Sequence, residues 1–331
     1  MDRRDLAAVA ACVAAQVVLG VSVPLTRGIV DYPVMTGQAV RYAVAAVALG
    51  LLAWAGFGGP PPQPGWPRPR DLLALTAVAA TGLVGFNLCM VTAVRHADPA
   101  VVGTIVGAAP LGLALIGPLM RRQRPSGRIL LAAAMIVAGT ALVHGSGEAD
   151  LIGTLAALGT MAGEVAFSVF AAMALPRLGA VRVSAYSCAL AVPMLVAGAV
   201  ATGEGPRMPT AVEAATFGYL AVMLTVVAFV AWFSGLHRLG VARAGLFVGL
   251  APVAALVVAS IQDGRWPALA QAFGVLLVAV ALTFGLGQRT PTSSGRRAGV
   301  ARWVRKAERS PAGQPAEVSA TADRPAGVSE R

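Results

Sequence analysis

In a chain of 331 residues, few charged side chains fall inside its long apolar runs, and those few narrow the chemistry available. Glu164 lies about thirteen residues into one such run, close to the middle of a bilayer at ~1.5 Å per helical residue. Arg41 lies about eight residues into another, roughly 12 Å from its end by the same rise. A charge at the bilayer centre costs about 2.5–3.5 kcal/mol on insertion scales, so each needs a compensating role. Glu164 is read either as a protonatable group facing a central cavity, carrying a coupling proton or binding a cationic substrate, or as a carboxyl that is permanently protonated or paired to a neighbouring helix. Arg41 could pair with Glu164, bind an anionic group, or snorkel its guanidinium to the headgroups. Superposing the first apolar run on the sixth sets Gln16 opposite Glu164 at matching depth. Asn87 is a further cavity candidate, against ordinary interhelical hydrogen bonding. Trp232, with Phe229 and Phe233, could line a cavity or pack in the core.

Other chemistries lack their residues. His96, His144 and His237 fall near the ends of apolar runs without metal-ligand spacing. Cys12, Cys89 and Cys188 stand singly in apolar surroundings and read as inert thiols. There is no HExxH, no GxSxG and no pair of intramembrane acids, and no GxxxxGK[ST] loop for ATP. Neither a catalytic residue nor a metal or cofactor is expected.

The elements that must position these side chains are membrane spans. The chain is 57% hydrophobic and 12% charged, with a mean hydropathy of +0.73. A soluble domain needs roughly 25% charged residues to cover its surface. Apolar stretches of spanning length recur at about 5–26, 33–55, 72–94, 99–119, 127–145, 151–174, 181–202, 212–236, 244–261 and 267–287. These predict ten transmembrane helices in an all-α polytopic membrane protein. Arg3 and Arg4 ahead of an apolar run resemble a signal peptide, but the run continues to Leu25 and is read as a retained first span. Residues 288–331 are rich in Ser, Pro, Arg and Glu and are expected to form a disordered basic tail.

The net charge of +11 is split among short loops and this tail, with no continuous basic face, which argues against a nucleic-acid partner. Its sidedness is informative. Arg3, Arg4, Arg68, Arg70, Arg121, Arg122, Arg124, Arg128, Arg177, Arg182, Arg238 and Arg243 fall on one side of a ten-span arrangement, with the tail. Arg27, Arg95, Arg207 and Arg265 fall on the other, among Asp31, Asp98, Glu148, Asp150, Glu204, Glu213 and Asp263. Basic loops stay cytoplasmic, so both termini are expected inside, in the cell membrane.

A shift of 142 residues superposes Ala100, Gly103, Val106, Gly107, Ala109 and Pro110 on Ala242, Gly245, Val248, Gly249, Ala251 and Pro252. The copies lie five spans apart, and an odd offset reverses direction through the membrane. Two inverted five-helix repeats are therefore expected, residues 1–147 and 148–287, with a site between them near the midplane. The GxxxG pairs Gly103/Gly107 and Gly245/Gly249 allow close helix approach. Pro110 and Pro252 can kink their helices and act as hinges.

The stretch from Arg95-His96-Ala97-Asp98-Pro99-Ala100 through Pro110 to Arg124-Pro125-Ser126, and that from Leu236-His237-Arg238-Leu239-Gly240 through Pro252, resemble the two half-signatures of the drug/metabolite transporter superfamily, specifically its EamA-type members. The resemblance covers residues 5–287. It implies export or exchange of amino acids, metabolites or toxic compounds; alternating access around the midplane site is expected, with protons through Glu164 and a second copy of the chain as candidate partners. One departure is visible: a Gly-Glu-Arg common after each proline in the family is absent, and Gln123 and Arg265 occupy the positions of its Glu. A membrane-embedded enzyme and a non-transporting membrane subunit or sensor remain the rival readings.

Overall fold

In the computed structural model, residues 3–29, 31–58, 66–120 and 122–287 are described; the expected tail at 288–331 lies outside them. Nine helical stretches among these residues are long and apolar enough to cross a membrane. They are α1 (Arg3–Leu25), α2 (Val34–Trp54), α3 (Pro69–His96), α4 (Pro99–Met120), α5 (Gly127–His144), α6 (Leu151–Thr202), α7 (Ala211–Leu239), α8 (Val241–Asp263) and α9 (Leu269–Leu286). The protein is an all-α polytopic membrane protein. Its β pairing among the described residues is a single isolated antiparallel bridge between Ala97 and Ala149. Large apolar side chains such as Leu51, Leu73, Leu155, Val200 and Leu276 are exposed around the bundle, a surface stable only against lipid.

The sixth and seventh sequence stretches form one continuous element. At ~1.5 Å per residue a straight helix of the 52 residues of α6 would reach about 78 Å, more than twice a hydrocarbon core. It is not straight. Gly179 takes φ 75°, ψ 166° inside it, a conformation a side chain would strain, three residues after Pro176. The break lies at the bundle end holding the chain's N-terminus. There Arg177 donates to Asp71 at 2.7 Å and to the Trp66 carbonyl at 2.7 Å, and Arg238 donates to Asp5 at 3.0 Å.

The opposite end is tied by polar loops. Asp150 caps α6 by accepting from the Gly153 N–H at 2.6 Å and meets His96 Nδ1 at 2.9 Å. Asp98 accepts from the Glu148 N–H at 2.8 Å. The Gly153 N–H first, and then the His96 ring, hold the Asp150 carboxyl below its usual range. A carboxyl depressed by folding stabilises above its unfolded value, near 3.9, and loses that contribution as pH falls through its folded value. Asp150→Ala should therefore lower the unfolding temperature at pH 7, and the deficit should shrink below about pH 4; a deficit constant with pH would refute the assignment.

Two features recur at the 142-residue shift. Val78–Gly85 in α3 and Leu220–Val227 in α7 are both π-helical, wound with i→i+5 bonds. Gly107 and Gly249, three residues before Pro110 and Pro252, take nearly the same angles, φ −60°, ψ −10° and φ −62°, ψ −11°. The regular α-helix of α4 breaks there, and a 3-10 turn, Leu246–Gly249, occupies the matching point of α8. Elsewhere, small residues let backbones touch. A Cβ on Gly274 of α9 would meet the Gly139 carbonyl of α5 at 2.5 Å, and one on Gly139 would meet the Gly274 carbonyl at 2.8 Å. Gly274→Val should cost about 1–3 kcal/mol of stability by overpacking, read as a lower unfolding temperature. Gly50→Val, where a Cβ meets nothing within 4 Å, is the control that should leave it unchanged.

Candidate functional site

The five polar and aromatic residues singled out in the sequence line one cavity. Gln16 from α1, Arg41 from α2, Asn87 from α3, Glu164 from α6 and Trp232 from α7 surround about 160 Å³, with Tyr42, Phe86, Phe167 and Phe229 among the other walls. The π-helical segments contribute Gly82, Leu83 and Leu224. Such segments widen a helix and shift its carbonyls, and they favour functional sites.

Each side chain is held by a specific local device. In the second π segment, Thr225 donates its hydroxyl to the Leu220 carbonyl at 3.1 Å and accepts from Arg41 Nε at 2.8 Å. Arg41 also donates to Gln38 Oε1 at 3.1 Å, and its guanidinium carbon lies 5.1 Å from the centre of the Tyr42 ring. Arg41 is buried, so it does not snorkel to headgroups, and these partners differ from the Glu164 pairing considered in the sequence. Asn87 donates to the Leu83 carbonyl, at the end of the first π segment, and to the Tyr42 hydroxyl at 3.2 Å. Trp232 donates its indole N–H to Ser168 at 3.2 Å, and Phe167, Phe229 and Phe233 stack beside it with centroids 4.9–6.0 Å apart. Gln16 is buried, and its Oε1 accepts no hydrogen bond from any described residue. A buried amide oxygen left without a donor is costly, which marks it as a place for a ligand N–H.

Glu164 is half-buried and faces two cavities. The second, about 530 Å³, lies toward the bundle end away from the chain's N-terminus, among Val94, Pro99, His144 and Ala259. Leu19, Phe86 and Glu164 line both, so these three side chains form the neck between them. The close approach at Glu164 depends on its neighbour: a Cβ on Gly163 would meet the Thr81 carbonyl of the first π segment at 2.8 Å.

The glycine–proline motifs stand beside the large cavity. Gly103 and Gly107 line it and pack against His144 and Thr140, one turn apart on α5. Gly245 packs on Leu113 and Gly249 on Ile136. Pro252 lines the large cavity, whereas Pro110 is buried in α4. Among the described residues no cluster of His, Cys, Asp and Glu could hold a metal. The sequence reading missed Thr225, Tyr42, Ser168, Leu19, Phe86 and both π segments. The 142-residue shift, extended upstream of Gly103, was the one signal that could have linked 78–85 to 220–227.

The EamA-like transporter family model matches the chain twice, at residues 6–145 and 151–286. The uncharacterized transporter YetK of Bacillus subtilis is 22% identical over 269 residues, covering 78% of this chain and 80% of that protein. A probable terminal-alkyne amino-acid exporter of Streptantibioticus cattleyicolor is 27% identical over 279 residues, covering 82% and 91%. A solved crystal structure 20% identical in sequence superposes with a TM-score of 0.69, covering 88% of this chain and 98% of that one, which establishes the shared fold. Nine long apolar helices among the described residues, a polar cavity buried among them and a doubled family match lead to one conclusion: the chain belongs to the EamA-like transporter family and is a multi-pass membrane transporter.

Proposed function

We propose that the protein is a secondary exporter of a small zwitterionic metabolite of the amino-acid class, working by alternating access and coupled to protons through Glu164. The observation that carries this reading is the single cavity shared by Arg41, Glu164 and the unpartnered Gln16 Oε1. A guanidinium takes a carboxylate, while a carboxylate beside a free amide oxygen takes an ammonium. The relative named as an amino-acid exporter supports the same substrate class.

Division of α6 at Gly179 gives ten spans, and ten spans return both termini to the Arg-rich side, the cytoplasm in a cell membrane. Two inverted repeats, 1–147 and 148–287, are supported by the doubled family match, the paired π segments and the matched Gly107 and Gly249 backbones. One repeat then rocks against the other around the cavity, with Gly107–Pro110 and Gly249–Pro252 as the bending regions. On this orientation the large cavity faces outward and the Asp71–Arg177 and Asp5–Arg238 pairs close the inner side.

The test is flux of radiolabelled neutral amino acids into proteoliposomes under an imposed pH gradient, comparing wild type with Glu164→Gln. Wild-type uptake driven by the gradient and lost in the variant supports the reading. Gradient-independent flux in both would reduce the protein to a facilitator and Glu164 to a structural carboxyl.

A further inference from the structure

The two cavities differ in chemistry as well as size. The smaller gathers the polar side chains: Gln16, Arg41, Asn87 and Glu164. The larger has more than three times its volume, and its walls are chiefly Val23, Met90, Val94, Val248, Ala255 and Leu256, with Glu164 and His144 as the titratable groups. They meet at Leu19, Phe86 and Glu164. A fully hydrophilic solute would gain from the small chamber alone. One with an apolar body gains in both, because apolar area leaving water stabilises binding whatever the head is.

We infer that the transported solute is amphipathic: its charged head lies in the small chamber while an unbranched or lightly branched apolar chain passes the Leu19–Phe86 neck into the large one. The identity of the head rests on the substrate class proposed above; the partition of head and chain does not. Phe86 and Leu19 then set specificity, since any group entering the large chamber with the head bound must fit between them. Ala255 and Ala259, about one helical turn apart on α8, set the usable length of the large chamber.

The test is a homologous series bound to the full chain in nanodiscs and followed by calorimetry: 2-aminobutyrate, norvaline, norleucine and 2-aminooctanoate, alongside n-alkylamines and n-alkanoates of the same lengths. Each added methylene should lower Kd by about 4-fold in wild type. Ala255→Phe and Ala259→Phe fill the chamber at two depths. Each should flatten the series, Ala255→Phe and Ala259→Phe breaking it at different chain lengths, and either variant alone suffices if the other misfolds. A slope in the amines without binding of the zwitterions would overturn the head assignment and keep the two-chamber reading. No slope in any series would overturn the two-chamber reading, as would equal slopes in wild type and both variants, which report partitioning into the bilayer. A phospholipid held by wild type and released from Ala255→Phe in native mass spectrometry, with no slope, would make the chamber a lipid site and also overturn it.

Discussion

Glu164→Gln should abolish accumulation against a concentration gradient while leaving downhill exchange measurable. A proton gradient of one pH unit stores about 1.4 kcal/mol per proton, enough for about tenfold accumulation with one-to-one coupling. Glutamine keeps the shape of the carboxyl and one acceptor oxygen but cannot ionise. The accumulation ratio should therefore fall from about ten per pH unit to one. Glu164 lines both chambers; on the proposed coupling, a proton taken up from the wide side would be handed on when the narrow side opens. If the ratio stayed near ten in the variant, coupling would reside elsewhere, and the absent Gly-Glu-Arg motif would offer no substitute in this chain.

The second large effect is expected at Arg41. Arg41→Met keeps the unbranched apolar stem, reaching about as far as Nε, but removes the guanidinium. A hydrogen bond to a charged group contributes about 1.5–3 kcal/mol, so KM for a neutral amino acid should rise by roughly 10- to 100-fold. The rise should be absent for an n-alkylamine, which has no carboxylate to lose. Arg41→Lys keeps the charge but cannot reproduce the fork that engages Thr225 and Gln38, and should recover only part of the loss. Thr225→Val leaves the charge intact and loosens its position, so a smaller rise in KM is expected. Equal KM for the amino acid in wild type and Arg41→Met would remove Arg41 from substrate recognition.

Much of this site was legible before any coordinates, and the reason is economical. In a chain with so few intramembrane charged and amide side chains, those that exist are forced toward one another by the cost of facing lipid, so Arg41, Asn87 and Glu164 stood out by lying inside apolar runs, and Gln16 by its register with Glu164. The repeat offset was legible because small residues at helix contacts tolerate few replacements: Gly103, Gly107 and their copies must admit His144, Thr140, Leu113 and Ile136. The partner of Arg41 was not legible. Thr225 is one of many hydroxyls in apolar runs, and it is singled out only by its place in the π segment, where its hydroxyl reaches the Leu220 carbonyl. Neither π segment has a composition that distinguishes it from ordinary helix. The division into two chambers was hidden for another reason. Leu19 and Phe86 are apolar residues among apolar residues, and hydropathy cannot tell a gate from a wall.

The placement of Trp232 has a practical consequence. It is 5% exposed at the wall of the small chamber, while Trp54 and Trp66 are each 87% exposed and Trp266 is 96% exposed. Trp303 lies outside the described residues. An aqueous or lipid-borne quencher will silence the exposed indoles and spare the buried one. Among the four described indoles, the emission that survives is a native optical signal from the chamber itself, sensitive to whatever displaces water beside the ring, and Trp303→Phe isolates it. Occupancy can thus be followed in the unlabelled protein, at a position where an attached dye would fill the space it was meant to observe.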